Sequence, residues 1–186
     1  MKLYFINFIK QKLEIMNLKY FILSFFVVLV TFSCEVNNQN ADNESDDLYA
    51  KNLTTAKKFF ELFKTEDTEA QKPLICPGVT HYPPFYGSEP VKYEGFVSGN
   101  KAWMDNFDDI TYDARVWLPG TDSLGVKDGS VRTYGTWSAK SMANGKTIKV
   151  RAYHYFNFNS AGQIHEIGDF FDASGVMNAA LASSEK

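Results

Sequence analysis

The sequence predicts an α+β domain in which helices lie over one face of an antiparallel meander. Three observations lead there. Apolar residues recur at helical spacing ahead of residue 110, and four segments rich in β-branched and aromatic residues follow, separated by short turn clusters. One of those segments also alternates between an apolar and a polar face. With 186 residues, 45% apolar and 22% charged, the chain has a globular composition and room for one such domain.

Tyr49, Leu53, Ala56, Phe60 and Phe63 share one side of a helical wheel, with Lys51, Lys57, Lys58 and Glu61 on the others, so the first helix is amphipathic. Asp46 or Asp47 can cap its start by accepting backbone N–H bonds. Five of the six prolines fall between Pro73 and Pro90, which predicts irregular chain there. Ser98 then precedes Ala102, Trp103 and Phe107, the pattern of a capped second helix. Strands are expected over Ile110 to Leu118, Ser130 to Met142, Thr147 to Phe158 and Gln163 to Phe171. The turns between them are short, so consecutive strands are antiparallel neighbours. In the third, Ile148, Val150, Ala152, His154, Phe156 and Phe158 share the face the helices must cover. Lys149, Arg151, Tyr153, Tyr155 and Asn157 share the other. Its aromatics suit solvent or a homodimer contact through Arg151, Tyr153 and Tyr155. Asp172 is expected to cap a final helix over Gly175 to Leu181.

Ahead of the domain the chain carries an export address. Lys19 is followed by the uncharged run Tyr20 to Phe32, the basic-then-apolar order of a secretory signal, and the run is shorter than the roughly 20 residues of a comfortable membrane span. The same order is satisfied by a start at Met16. Residues 1–33 hold four lysines against one glutamate, so their removal takes the net charge from −3 to near −6. An acidic chain with three arginines argues against a nucleic-acid partner. Residues 34–47 contain five acids and almost no apolar side chain, which predicts a disordered acidic tether, leaving 48–186 as the domain. Of the two cysteines, Cys76 is expected in the core rather than as a reactive thiol.

The segment ending in Ser33-Cys34 resembles a bacterial lipoprotein signal with a relaxed lipobox, in which Thr31 and Phe32 depart from the strict pattern. The resemblance implies lipidation of Cys34, a membrane anchor and a place in the periplasm or at the cell surface. Within the domain, the order helix, helix, meander, with Gly162-Gln163-Ile164 and Gly168-Asp169-Phe170-Phe171-Asp172 near the end, resembles the nuclear-transport-factor-2-like superfamily and its SnoaL-like members. That resemblance implies a cone of helices and curved antiparallel sheet around an apolar pocket. It also matches Asp169 to the acid that some relatives use as a general acid or base. The epoxide-hydrolase branch supports that acid with an Arg-x-Asp pair, whereas the comparable strand here reads Arg132-Thr133-Tyr134-Gly135-Thr136.

Two functions stay open on this reading. The cone either binds a small, largely apolar molecule or serves as an interaction module, with Trp103, Trp117, Trp137 and Phe156 as lining candidates, or it is an acid/base enzyme of the isomerase, dehydratase or cyclase class. In the second case Asp169 is the base and His154 or Tyr134 its hydrogen-bonding partner. No cofactor is expected, because neither G-x-G-x-x-G nor a phosphate loop occurs. No metal site is expected either: His165 and Asp169 would lie about 13 Å apart along a strand, and His81 has no ligand pattern near it. Asp122 to Asp128 lacks the calcium-loop series. Everything about Asp169 depends on register. If Phe158 pairs with Gln163, Asp169 faces inward as a diagonal neighbour of His154; if Phe158 pairs with Ile164, it turns outward unless a bulge re-aims it, and Gly168 would tolerate one. An inward Asp169 among aromatics is expected to have a raised pKa.

Overall fold

A computed structural model describes the backbone of residues 38–182 and the side chains of residues 44–182. The predicted signal peptide and Cys34 lie outside the described residues. Helix α1 spans Asn38–Lys64, the short helix α2 spans Thr68–Gln71, and strand β1 spans Ile75–Tyr82. Helix α3 spans Tyr93–Asn106 and is followed by β2 (Phe107–Thr121), β3 (Lys127–Ser141), β4 (Thr147–Phe158), β5 (Ile164–Phe170) and helix α4 (Ala173–Leu181). The strands form one mixed sheet in the order β1-β5-β4-β3-β2, antiparallel except where β1 joins β5.

The sequence reading and the structure differ at several points, among them Cys76, which is half-buried on β1 and not a core residue. Residues 38–47, expected as tether, form the first turns of α1. Once a helix is nucleated each added residue fixes little for one more hydrogen bond, so a polar extension can ride on the amphipathic part. Helix α3 begins at Tyr93, five residues ahead of the predicted cap. Its start is set instead by Val91, which exchanges two backbone bonds with His81, and Ser98 spends its hydroxyl on the carbonyl of Gly95 inside the helix. Finally, the proline-rich stretch contains β1. Pro77 is tolerated because β1 is an edge strand, and the other edge, β2, likewise carries Pro119.

One buried cluster joins Ala56, Phe59 and Phe60 of α1 to Phe96 of α3 and to Val131, Phe156, Ile164 and Ile167 of the sheet. Phe60 is its centre, with ring centroids 4.7 Å from Tyr112, 4.9 Å from Trp137, 5.0 Å from His154 and 5.2 Å from Phe156. A second cluster places Met104, Phe107, Ile110 and Ile148 against Val176 and Ala180 of α4, whose start is capped by Asp172 accepting from Gly175 N. The predicted face division of β4 is reproduced. Its Ile148, Ala152, His154 and Phe156 are buried, and its other face carries Lys149 and Arg151 in the open.

Candidate active site

The last hairpin settles where Asp169 points. Phe158 pairs with Ile164, Asn157 with Glu166, and His154 directly with Asp169. Between the first two pairs β5 holds one extra residue, the exposed His165, and this bulge reverses the alternation beyond it. Ile164, Ile167 and Asp169 therefore all face the helices, which unbroken alternation forbids. The bulge is three residues earlier than Gly168. That glycine has another use: the Tyr155 ring lies across it, and a Cβ there would fall 2.1 Å from Tyr155 Cε1.

Asp169 is gripped from both sides. Its Oδ1 lies 2.6 Å from His154 Nδ1 and its Oδ2 lies 2.7 Å from His81 Nε2. His154 is in turn reached at Nε2 by Trp137 Nε1, at 2.8 Å. The indole N–H can only donate, so His154 Nε2 must accept; the imidazole is then neutral, with its proton on Nδ1, and donates it to Asp169. The Asp169 carboxylate, which can only accept, fixes the proton on Nδ1, and the Trp137 indole keeps Nε2 unprotonated. His154 is 2% exposed with both nitrogens engaged, so it positions the carboxylate and has no free polar atom to offer a substrate. The Asp169 side chain keeps 18% of its surface. Burial alone would raise its pKa, but the hydrogen bonds donated by His154 and His81 outweigh that and hold the carboxyl well below the usual carboxylate range. The expected upward shift is thereby reversed, because burial among aromatics came together with two donors.

These groups open onto a cavity of about 570 Å³ under α1 and α3. Phe59, Phe63, Trp103, Phe107, Ile110 and Val150 make its wall predominantly apolar, while Asp169, His81, His154 and Asn100 are the polar residues of its inner wall, and Ser88 and Glu89 belong to the segment that follows β1. Of the sequence-predicted residues, Trp103, Trp137, His154 and Asp169 line the cavity. Tyr134 does not. It is 48% exposed on the opposite face, paired with Tyr153 at a ring distance of 4.8 Å, because the two-residue period of β3 places it opposite in sense to Trp137. Phe156 is fully buried in the core, and Trp117 packs on Phe60 with the Lys57 ammonium 5.9 Å from its ring, and neither lines the cavity. His81 was missed. The only sequence signal was an aromatic-flanked histidine in a segment whose prolines hid a strand.

Replacing Trp137 with Phe removes the one donor to His154 Nε2. We expect the Nδ1–H tautomer of His154 to persist, held by the acceptor-only Asp169 carboxylate, while the Nε2 resonance moves on loss of its donor, read by nitrogen NMR of labelled imidazoles, with a stability loss of about 1 kcal/mol. An unchanged Nε2 resonance would show that the indole bond is not made in solution.

No protein-family model matches the chain, and no curated protein matches it significantly. Solved structures do match. A proposed SnoaL-like polyketide cyclase from a Jannaschia species is similar with a TM-score of 0.60 at 16% identity, covering 73% of this chain and 94% of that one. A proposed isomerase from Bacillus subtilis is similar with a TM-score of 0.61 at 15% identity, covering 74% and 96%. The pinacolase BvnE from Penicillium brevicompactum is similar with a TM-score of 0.58 at 12% identity, covering 72% and 94%. At these identities the likeness is one of fold.

Proposed function

Given that the chain folds as the nuclear-transport-factor-2-like, SnoaL-like cone, we propose that its cavity is an acid/base active site in which Asp169 moves a proton on a small, largely apolar carbonyl compound. One observation carries this reading: a carboxyl group, oriented on both oxygens by imidazoles, faces a cavity whose wall is predominantly apolar. A site for passive apolar binding would gain from a neutral residue at that position. Similar folds bearing cyclase, isomerase and pinacolase names support the same class.

In the proposed step Asp169 takes a proton from a carbon beside the substrate carbonyl. The C–H electron pair passes into an enolate and the carboxylate becomes a carboxylic acid. The proton then returns to a different atom of the enolate system, which gives isomerisation, or the enolate carbon attacks a second carbonyl carbon of the same molecule, whose C=O π pair passes to its oxygen and takes the proton back from Asp169, which gives cyclisation. The depressed pKa of the Asp169 carboxyl does not oppose this. An apolar substrate displaces water from the anion, and its desolvation raises the basicity when the proton is to be taken. His154 holds the carboxylate aimed into the cavity, and His81 steadies its second oxygen.

The test is exchange of α-hydrogens for deuterium in a panel of cyclic ketones in D2O, followed by proton NMR. Exchange well above the protein-free rate is expected for at least one ketone that binds. Binding without any acceleration across the panel would turn the reading into that of a binding module.

We further propose that the domain is held at a membrane by lipid on Cys34. Each buried methylene contributes about 0.8 kcal/mol, so two or three acyl chains hold the protein firmly, and Cys34→Ala should move it from the membrane pellet to the soluble fraction or leave it unprocessed. Unchanged retention with a cleaved N-terminus would count against it. The proposed homodimer uses the sheet face away from the cavity, where Tyr134, Tyr153 and Phe170 form a ladder with ring distances of 4.8 and 5.5 Å. Sedimentation at micromolar concentration should give twice the chain mass, and Tyr153→Glu should halve it.

A further inference from the structure

The cavity has a second polar point, whose orientation is dictated from a distance. Gln71, 1% exposed, donates from Nε2 to the backbone carbonyl of Phe59 at 3.3 Å. A carbonyl can only accept, so the amide of Gln71 cannot be reversed, and its Oε1 must face the other way. There it accepts from Asn100 Nδ2 at 3.2 Å. The polarity of a helix carbonyl is thus passed through Gln71 to Asn100, whose amide is equally unable to flip. Asn100 is 7% exposed and lines the cavity. Among the described residues its Oδ1 accepts no bond, and the buried side-chain atoms without a partner are Asn52 Oδ1 and His81 Nδ1. The free oxygen of Asn100 therefore has access to open space, and the space that Asn100 borders is the cavity. It sits one turn along α3 from Phe96, whose ring packs on His81 at 4.6 Å, so it belongs to the same chamber as Asp169.

We infer that Asn100 is a specificity-determining residue that reads a hydroxyl group on the substrate. The hydroxyl donates to Asn100 Oδ1 and can accept from the remaining Nδ2 hydrogen. The inference rests on the cavity being a substrate site and narrows the substrate class. The molecule carries two oxygens on an apolar frame, a carbonyl whose neighbouring C–H meets Asp169 and a hydroxyl that meets Asn100. A ligand without the hydroxyl leaves a pinned amide oxygen buried and unpaired, and an amide that cannot turn away cannot relieve that cost.

The experiment uses the pair α-tetralone and its analogue hydroxylated on the aromatic ring, with the full chain, by isothermal titration and by α-deuterium exchange. Wild type should bind the hydroxylated ketone on the order of ten- to a hundredfold more tightly. Asn100→Leu should abolish that ratio. Gln71→Leu, which frees the Asn100 amide to turn, should lower it to an intermediate value, and this variant is the one read if Asn100→Leu does not fold. Equal affinity for the two ketones, binding of neither, or a ratio undiminished in the variants overturns the inference. A ratio that is present and lost as stated, with no exchange in either ketone, supports the role of Asn100 and removes the acid/base reading of Asp169.

Discussion

Asp169→Asn is expected to lower ketone exchange by about a hundred- to ten-thousandfold while leaving a folded protein. The amide is isosteric and its oxygen can still accept from His154 Nδ1. Its nitrogen then faces His81 Nε2, so that ring must move its proton to Nδ1, an atom that already lacks a partner. The fold bears that adjustment, at a cost of about 1–3 kcal/mol for a lost charge-assisted bond and a buried unpaired donor. The pH dependence has a definite sign. Asp169 has a folded pKa below its unfolded value of 3.8, so the stability it contributes is complete above that value and is lost as pH falls through the depressed folded value. Urea unfolding of the two proteins should differ fully at neutral pH, and the gap should narrow in acid below about 4. A gap that widens on acidification would mean that the carboxyl is raised in the folded state. Exchange that survives in the variant would take Asp169 out of the mechanism.

Gly135→Ala should be damaging, because here both an enclosed ring and the backbone stand in the way. Tyr112 lies across Gly135, and an added Cβ would fall 2.5 Å from its Cζ and 2.6 Å from the Asp113 carbonyl oxygen. The ring has nowhere to retreat. It meets Phe60 at 4.7 Å and Trp137 at 4.8 Å, and its hydroxyl reaches Thr133 Oγ1 at 3.1 Å. That enclosure is also why the Tyr112 pKa is pushed up to about 12, burial outweighing the Thr133 bond that lowers it. Overpacking of this kind costs about 1–3 kcal/mol, and with backbone involved the upper end is expected, as a lower urea midpoint. Gly99→Ala is the control. Nothing lies within 4 Å of its Cβ position, and removing a helical glycine should stabilise by up to about 1 kcal/mol. Similar losses for the two would show that backbone freedom, and not the Tyr112 contact, governs Gly135.

Much of the fold was legible because period is a local property. The face of β4, the first helix and the capping role of Asp172 follow from spacing alone. What failed was set by partners distant in sequence. Strand β1 exists because β5 offers it an edge, and its prolines conceal that. Helix α3 starts where Val91 is tied to His81, not at the serine with the right side chain. Within the site, Asp169 and His154 were legible as a pair but not as direct partners, since one extra residue at His165 decides the face and nothing in its identity announces a bulge. Trp117, Phe156 and Tyr134 were aromatic candidates of equal standing with Trp137, and only the packing around Phe60 separates them. His81 reaches Asp169 from 88 positions away, a distance over which residue type alone carries no signal.

The prolines on the two outer strands have a consequence beyond local geometry. A sheet border with all its amides intact is a template on which another chain can crystallise its own backbone, and here each border has a residue that cannot donate. On the β1 side the bridge between His81 and Val91 also occupies the backbone of the border near the strand's end. The domain should therefore resist fibril growth and strand exchange even when crowded.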